Sequence, residues 1–567
     1  MSLQKSFLRA TVARWLAFSS CHVARMSAWT ALMSCVLPLA YPAAPVNPLP
    51  AIDGKWRHFA SPHFELYSRN AEGESRELLY NLELLRAVFL DRMGLKERLQ
   101  TAVTVYYFRT PKEFQAYAPR VFSGPSSLAG FHLYRPDRAI ISLAPADNEE
   151  AAQRIIFHEY VHHLFRIAEF TPSLWYNEGT AEVLAGIRID RKSVQIGQPL
   201  DNSAAYLREE TLLPLDQIFG AVENSKLYTE GKHTGVFYAQ SWALLHYWNF
   251  GNSGIPKEAV DRFLQIAGNR DLAGETDLRT HFKACFGCDY PEMLRRLKTY
   301  IRTGSFRYGN HPMPTLEPVS SYIVRQVPLD EIAVRLAELA VRVNRSPAGK
   351  LALLHATTDR PTDPRSFETL GSDAFLDNDL ATASDRWEQA LAAGSQNPAV
   401  IRQLALLEGQ QWFNEFNESL RLPPDVTTRM RARLERSIEL EPAQGAAYEM
   451  LAWVEAFAEV PRAKNANRVI SNLPQMPDKK RTLIALSMLM LRLNKPDTAA
   501  TMLAHVSTQQ LRPFDAHAVA VMRERLAADH IPSANDPAGA PAPGTTVAPP
   551  PSAPGLKTPS VGLPDDL

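Results

Sequence analysis

The apolar and polar positions in the first third of the chain follow two periods, one typical of strands and one typical of helices. Residues 63–69 alternate as a half-buried strand does, whereas residues 74–93 repeat apolar side chains at helical spacing. Extended to residue 168, the pattern predicts strands at 63–69, 101–108, 128–134 and 138–143, and helices at 74–93, 111–117 and 148–168. Arg135-Pro136-Asp137 joins the last two strands and predicts a hairpin.

The next part of the chain is mostly helical. A helix is predicted from Pro172 to about Ala185, followed by a polar hairpin at 187–196. Apolar residues then dominate the helix at 236–248, and amphipathic helices follow at 257–267 and 291–302. A sheet-bearing half followed by a helical half predicts an α+β fold for residues 55–310.

From about residue 325 to 528 the pattern predicts one helix after another. Small and aromatic residues recur at the spacing of a 34-residue tetratricopeptide repeat, in the set Phe367, Leu370, Gly371, Ala383, Trp387 and Ala390. Similar but imperfect units follow around 434–452 and 483–506. We therefore expect an all-α, TPR-like repeat domain that binds a protein partner, with a generic helical bundle as the alternative.

The two ends of the chain differ from the rest in composition. Residues 1–44 contain basic residues but no acidic residue, then an apolar run, then small residues, which predicts a signal peptide followed by a linker at 45–54. An organelle transit peptide and a lipoprotein signal ending at Cys35 are the rival interpretations. The apolar run is short for a membrane span. The Pro- and Ala-rich tail at 529–567 is predicted to be disordered. We expect an exported protein of the periplasm or cell envelope.

The charge balance bears on nucleic-acid binding, and the cysteine content bears on disulfide formation. The chain has 61 basic and 61 acidic residues, so no electrostatic field for nucleic acid is implied. Cys21 and Cys35 lie in the predicted signal peptide, which leaves Cys285 and Cys288 in the mature chain. For an exported protein, a short-loop disulfide between these two is the expected state.

One of the predicted helices carries a metal-binding pattern. His158, Glu159 and His162 read H-E-x-x-H. Two histidines four apart on a helix lie about 40° apart around its axis, so both imidazoles can reach one ion. Glu159 follows the first histidine, where a base that activates water should lie. The pattern predicts a zinc site. His163 points about 100° away from His162 and is expected at the surface or behind the ligands.

A catalytic zinc site needs a third protein ligand and an open fourth position. Fifteen residues separate His162 from Glu178, enough to end one helix, turn at Thr171-Pro172-Ser173 and begin another. Glu178 is therefore the expected third ligand. Glu182 lies four residues on, on the same face, where its carboxylate can accept the free N–H of a ligand histidine.

These residues carry a family resemblance. H-E-x-x-H at 158–162 followed by Asn177-Glu178-x-x-x-Glu182 resembles the gluzincin pattern, with Glu182 where the family usually has Asp. The wider arrangement over residues 55–305 is similar to the peptidase-MA-like domains of bacterial envelope proteins. The resemblance implies a zincin-like fold, one catalytic Zn²⁺ and peptide-bond hydrolysis. It also places Asn177, with Glu182, beside the ligands.

The resemblance further implies a mechanism. His158, His162 and Glu178 would bind zinc, a water at the open position would become acidic, and Glu159 would take its proton and pass it to the leaving amine. Gluzincins often add a Tyr or His from a later helix to stabilise the oxyanion. Tyr238 is our first candidate for that role and His233 the second. Strand 138–143 is expected at a sheet edge, where it could hold an extended peptide.

Three functions remain open from the sequence. The first is a zinc metallopeptidase whose repeats recruit protein substrates or partners. The second is a TPR-type binding module of the cell envelope with a structural or vestigial zinc site. The third is zinc-dependent hydrolysis of a non-peptide substrate, since several amides react through the same tetrahedral chemistry.

Overall fold

The computed structural model describes residues 48–97, 102–119, 130–145, 149–190, 192–222, 225, 231–476, 479–506 and 511–529. Contacts between Cα atoms divide the chain into two compact units, 1–361 and 362–567. The predicted signal peptide and almost all of the predicted tail lie outside the described residues. Within the described ranges, no helix has both the length and the apolar character that a membrane crossing requires.

The first unit is an α+β structure. Its elements are β1 (Trp56–Ala60), β2 (Phe64–Ser68), α1 (Glu72–Met93), β3 (Val103–Tyr107), α2 (Pro111–Gln115), β4 (Gly130–Arg135), β5 (Arg138–Leu143), α3 (Glu149–Ile167), α4 (Leu174–Ala185), β6 (Arg188–Ile189), β7 (Ser193–Ile196), α5 (Asp201–Glu209), α6 (Leu215–Phe219), α7 (Gly231–Phe250), α8 (Lys257–Ala267), α9 (Arg270–Glu275), α10 (Leu278–Phe286), α11 (Tyr290–Thr303), β8 (Gly309–Pro312), β9 (Ile323–Val327), α12 (Leu329–Asn344) and α13 (Pro347–Asp359).

A six-stranded mixed sheet forms the centre of this unit, in the order β4-β5-β3-β2-β1-β9. Strands β2, β3 and β5 run parallel to one another, whereas β1, β4 and β9 pair antiparallel with their neighbours. A smaller sheet joins β6, β7 and β8. The hairpin of β4 and β5 delivers the chain to α3.

The two faces of the large sheet bury different side chains, as the alternation along each strand requires. Leu66, Val105 and Ile141 belong to a core shared with α1 and α3. The neighbouring residues Tyr106 and Ile140 belong to a second core, shared with α2 and α12. The sheet therefore lies between two helical layers, with α3 on one face.

Close contacts at two glycine residues join α4 to α7 and β4 to α3. A Cβ added to Gly179 of α4 would lie 2.7 Å from the Ser241 carbonyl oxygen of α7, so only glycine permits this approach. A Cβ added to Gly130 of β4 would lie 3.1 Å from the Ile156 side chain of α3. These contacts bring β4 and α7 close to helices α3 and α4.

One expectation about the sheet is wrong. Strand 138–143 was expected at an edge, but β5 lies between β4 and β3 and pairs with both. Its burial pattern is continuous, as for an interior strand of a parallel pair. Within the described residues β4 is the edge strand on this side.

The boundary between the units also lies later than the residue 325 from which the repeats were expected. Strand β9 pairs with β1 along five residues, which ties it to the first sheet. Helix α12 then packs on that sheet through Ile332, Leu336 and Leu339. The segment 325–361 therefore belongs to the first unit.

Cys285 and Cys288 are both free thiols, contrary to the expected disulfide. The Sγ atom of Cys285 lies 3.7 Å from the His281 ring, one helical turn earlier. Cys288 follows the left-handed Gly287 and is buried in the core. The two thiols therefore have different neighbours.

The second unit is all α. Its helices are α14 (Pro364–Leu376), α15 (Leu380–Ala392), α16 (Pro398–Trp412), α17 (Pro424–Leu440), α18 (Gly445–Phe457), α19 (Ala463–Asn472), α20 (Lys480–Arg492), α21 (Pro496–Ala504) and α22 (Pro513–Asp529). Consecutive helices pack in pairs, α14 on α15, α16 on α17, α18 on α19 and α20 on α21. A Cβ on Gly371 would lie 2.5 Å from the Trp387 ring, so the first pair is tightly packed. This arrangement fits the predicted TPR-like repeats.

Candidate metal centre

Helix α3 presents two imidazoles on one face. His158 and His162 are one turn apart, and their ring centroids are separated by 4.9 Å. The opposite side of the helix, including Val161 and Leu164, is completely buried in the core. That packing fixes the rotation of the helix about its axis, and with it the direction of both imidazoles.

Helix α4 supplies the third group. The chain turns between α3 and α4, where Pro172 forms an isolated bridge with Asn269, and α4 begins after Ser173. The Glu178 side chain on α4 is only 2% exposed. Its Oε2 atom lies 3.3 Å from His158 Nε2 and 3.5 Å from His162 Nε2. The three side chains therefore converge through these atoms.

The other nitrogen of each imidazole faces an oxygen acceptor. His162 Nδ1 lies 2.9 Å from Asn177 Oδ1, and since that oxygen can only accept, the Nδ1–H donates. His158 Nδ1 lies 3.3 Å from a Glu182 carboxylate oxygen. Partners of this kind orient ligand histidines and leave the Nε2 lone pairs directed at a metal.

The geometry suits a zinc ion. The candidate ligand atoms of His158, His162 and Glu178 all lie within 4.8 Å of one another. Zinc–nitrogen and zinc–oxygen bonds of about 2.0–2.2 Å give a tetrahedron with edges of roughly 3.3–3.5 Å. The two nitrogen–oxygen distances of 3.3 and 3.5 Å match those edges. Two imidazoles and one carboxylate are also a ligand set that catalytic zinc sites use.

The charges in the site are coupled. Burial opposes ionisation of Glu178, but the neighbouring His162 and His158 outweigh it and hold the pKa of this carboxyl below its ordinary value. Burial likewise opposes protonation of His158, yet Glu178 and Glu182 raise its pKa well above the ordinary value. Burial also opposes protonation of His162, but Glu178, with a contribution from Glu159, raises its pKa. The site thus attracts positive charge, which a bound dication would supply in place of protons.

The remaining predicted site residues are Glu159, Tyr238 and His233. Glu159 follows His158 on α3 and is half-buried. The Tyr238 ring of α7 stacks on the His158 ring, with centroids 6.2 Å apart and an interplanar angle of 25°. His233 lies in the first turn of α7, but its side chain is outside the described part of the structure.

His163 was expected at the surface or behind the ligands, and it is not at the surface. It is 1% exposed and contacts the rings of Tyr160, His132 and Tyr134. Burial and the nearby positive charges of Arg166 and Arg86 lower the pKa of His163 to about 3. This histidine is a neutral packing residue between α3 and β4.

Sequence reasoning did not single out Arg166. This arginine is exposed, and its guanidinium carbon lies 4.7 Å from the centroid of the Tyr134 ring on β4. The sequence could have indicated that Arg166 lies near the site, because it follows His162 by four residues and residues at i and i+4 are neighbours on a helix surface.

Comparisons with known proteins assign no family to this chain. No family model matches the sequence, and no curated protein matches it. Among solved structures, the crystal structure of a thermophilic TPR protein from Thermus thermophilus is similar, at 15% sequence identity and a TM-score of 0.20. The similarity covers 35% of this chain and 97% of that chain. A TM-score of this size does not establish a common fold.

Proposed function

We propose that the first unit is a gluzincin-type zinc metallopeptidase with a zincin-like fold. The observation that carries the proposal is the convergence of His158, His162 and Glu178, whose ligand atoms lie within 4.8 Å of one another. The oxygen acceptors behind both imidazoles support it, because a site that must keep its ligands in one tautomer needs such partners.

In this proposal the chain's own residues have separate tasks. His158, His162 and Glu178 would hold the ion, which when bound would supply a Lewis acid that polarises a carbonyl and acidifies water. Glu159 accepts a proton from the attacking water at its carboxylate and donates it to the leaving amine. Tyr238, whose ring stacks on that of His158, would donate a hydrogen bond to the developing oxyanion.

An extended peptide would pair with β4, since this strand, and not β5, has the open edge within the described residues. The face of β4 that carries Gly130 and His132 packs on α3, so the strand runs beside the helix that holds the ligands. The second unit would recruit protein substrates or partners through its helix pairs. We place the enzyme in the periplasm or cell envelope.

The test is zinc content together with hydrolysis of casein, for the wild type and for Glu159→Gln. We expect one zinc ion per chain in both proteins and a loss of turnover of roughly 10²- to 10⁴-fold in the variant. Glu74→Gln, at an exposed glutamate of α1, is the matched control and should retain full activity. Mass spectrometry of the products identifies the bond that is cut.

The alternative is a protein-binding module in which the metal site is structural. The paired helices of the second unit favour a binding role for that part of the chain. Bound zinc without any turnover that depends on Glu159 would establish this alternative and reject the peptidase.

A further inference from the structure

Arg166 and Glu159 lie on the same side of α3. A helix turns about 100° per residue, so residues seven apart differ by only about 20° around the axis. Around the helix axis, the ligands His158 and His162 lie to one side of Glu159, and His163 lies to the other side. His163 faces β4, because its ring contacts those of His132 and Tyr134. Glu159 and Arg166 therefore line the space between the metal ligands and the edge strand.

Contacts between α3 and β4 show where Arg166 lies along this space. Its guanidinium lies over the Tyr134 ring, near the end of the strand, while Gly130 at the beginning of the strand contacts Ile156. Strand and helix thus run in the same direction. A peptide paired with β4 would pass Glu159 and then reach Arg166 at one end.

In the described part of the chain, the positive charge of Arg166 has no partner of opposite charge. Its side chain is exposed, and among the described residues no carboxylate lies within ion-pair distance of it. Its positive charge also contributes to the low pKa values of the buried His132 and His163. Stacking on Tyr134 occupies the face of the guanidinium and restrains its position, but leaves its in-plane N–H donors available for a carboxylate.

We propose that Arg166 selects substrates with an acidic side chain about three residues from the cleaved bond. The distance follows from the helix, since seven residues from Glu159 correspond to about 10 Å along the axis. An extended peptide advances about 3.3 Å per residue, so three residues span that length. The inference rests on the proposed peptidase function and specifies its substrate class.

The experiment is a cleavage profile of the zinc-loaded full chain on a mixture of synthetic peptides of random sequence, read by mass spectrometry. We expect Asp and Glu to be enriched about three residues from the cut bond for the wild type. The enrichment should disappear in Arg166→Gln and change to Lys and Arg in Arg166→Glu. Arg302→Gln, at an exposed arginine of α11, is the matched control and should keep the wild-type profile.

A pair of peptides that differ only by Glu or Gln at the selected position gives the magnitude. We expect kcat/KM to favour the Glu peptide roughly tenfold for the wild type, because a charge-assisted hydrogen bond at an exposed site contributes on this order. The ratio should approach one in Arg166→Gln and should fall at high salt. Arg166→Lys should keep part of it.

Two negative outcomes are distinct. Cleavage that depends on Glu159 but shows no acidic preference, or a preference unchanged in Arg166→Gln, overturns this inference and leaves the peptidase intact. Zinc-loaded protein that cuts none of the peptides rejects the proposed function, and this inference with it. Unchanged zinc content and melting temperature show that the Arg166 variants are folded.

Discussion

Each unit buries several glutamates, and one from each unit, Glu455 and Glu178, can be compared because their surroundings differ. Glu455 in the second unit is fully buried, and Arg431 holds its two oxygens at 2.8 and 2.6 Å. Asn465 and the backbone N–H of Arg462 each donate a further hydrogen bond at 2.7 Å. Glu178 in the first unit is 2% exposed, and two imidazole nitrogens lie at 3.3 and 3.5 Å from one of its oxygens.

The difference lies in the kind of partner that each carboxylate has. The guanidinium of Arg431 brings a permanent charge and two aligned donors, which neutralise Glu455 at hydrogen-bond distance. The imidazoles around Glu178 stand at the spacing that suits an ion between them, and their outer nitrogens are engaged by Asn177 and Glu182. We therefore expect the first carboxylate to govern stability and the second to govern metal binding.

The largest expected effect comes from breaking the buried ion pair in the second unit. Glu455→Ala leaves the Arg431 charge buried without its partner, which should destabilise that unit by about 3–5 kcal/mol. Calorimetry should show a lower transition temperature for the second unit, and the zinc content should be unchanged. The unfolding transition of the first unit can be recognised because its temperature should shift when a chelator removes zinc.

The control for this variant is an exposed pair in the same unit. Glu418→Ala removes the partner of Arg525, and both of those side chains are more than a third exposed. The expected loss is below about 1 kcal/mol. Equal losses for the two variants would contradict the distinction between the buried and the exposed pair.

The next effect concerns the acceptor behind His162. Asn177→Ala removes the oxygen that receives the Nδ1–H, so the imidazole is no longer held in one tautomer and orientation. Zinc affinity should fall about 10- to 100-fold, measured by titration against a competing chelator. Asn177→Asp restores an oxygen acceptor and should recover most of the affinity. Unchanged affinity in Asn177→Ala would show that this contact does not support a metal ligand.

The features that could be predicted from the sequence depend on residues that are close together in the chain. Helical spacing in 148–168 predicted α3 to within a residue or two at each end, and the i, i+4 rule predicted that His158 and His162 share a face. The position of Glu178 followed from a short turn between two helices. The same reasoning predicted the hairpin of β4 and β5 and the paired helices of the second unit.

What the sequence did not predict depends on contacts between distant residues. Strand β9 pairs with β1 across more than 250 residues of chain, and most of its side chains are exposed, so it has no clear alternating pattern. The interior position of β5 is decided by β4 and β3 together. The stacking of Tyr238 on His158 joins α7 to α3 across about 80 residues of chain, which no local pattern reveals.

The smallest expected effect tests a third kind of buried group, the neutral histidine. His246 is fully buried in the first unit, where Nε2 donates to the Gly197 carbonyl and Nδ1 accepts from the Tyr300 hydroxyl. Burial lowers the pKa of His246, although the hydrogen bond to Gly197 acts in the opposite direction. Among the described residues of the second unit, no histidine is buried.

Because the pKa of His246 is lower in the folded state, the unfolded chain takes up the proton first as the pH falls. Its contribution to stability is complete above the ordinary pKa of about 6.5 and is lost as the pH falls below that value. Acidification should therefore lower the transition temperature of the first unit. In His246→Gln, the free energy of unfolding lost on acidification should be smaller than in the wild type by at most about 1.4 kcal/mol for one pH unit. Calorimetry of both proteins at matched pH values provides the comparison, in which the contribution of the ligand histidines cancels. If the variant and the wild type lose stability equally on acidification, His246 is not the group that titrates.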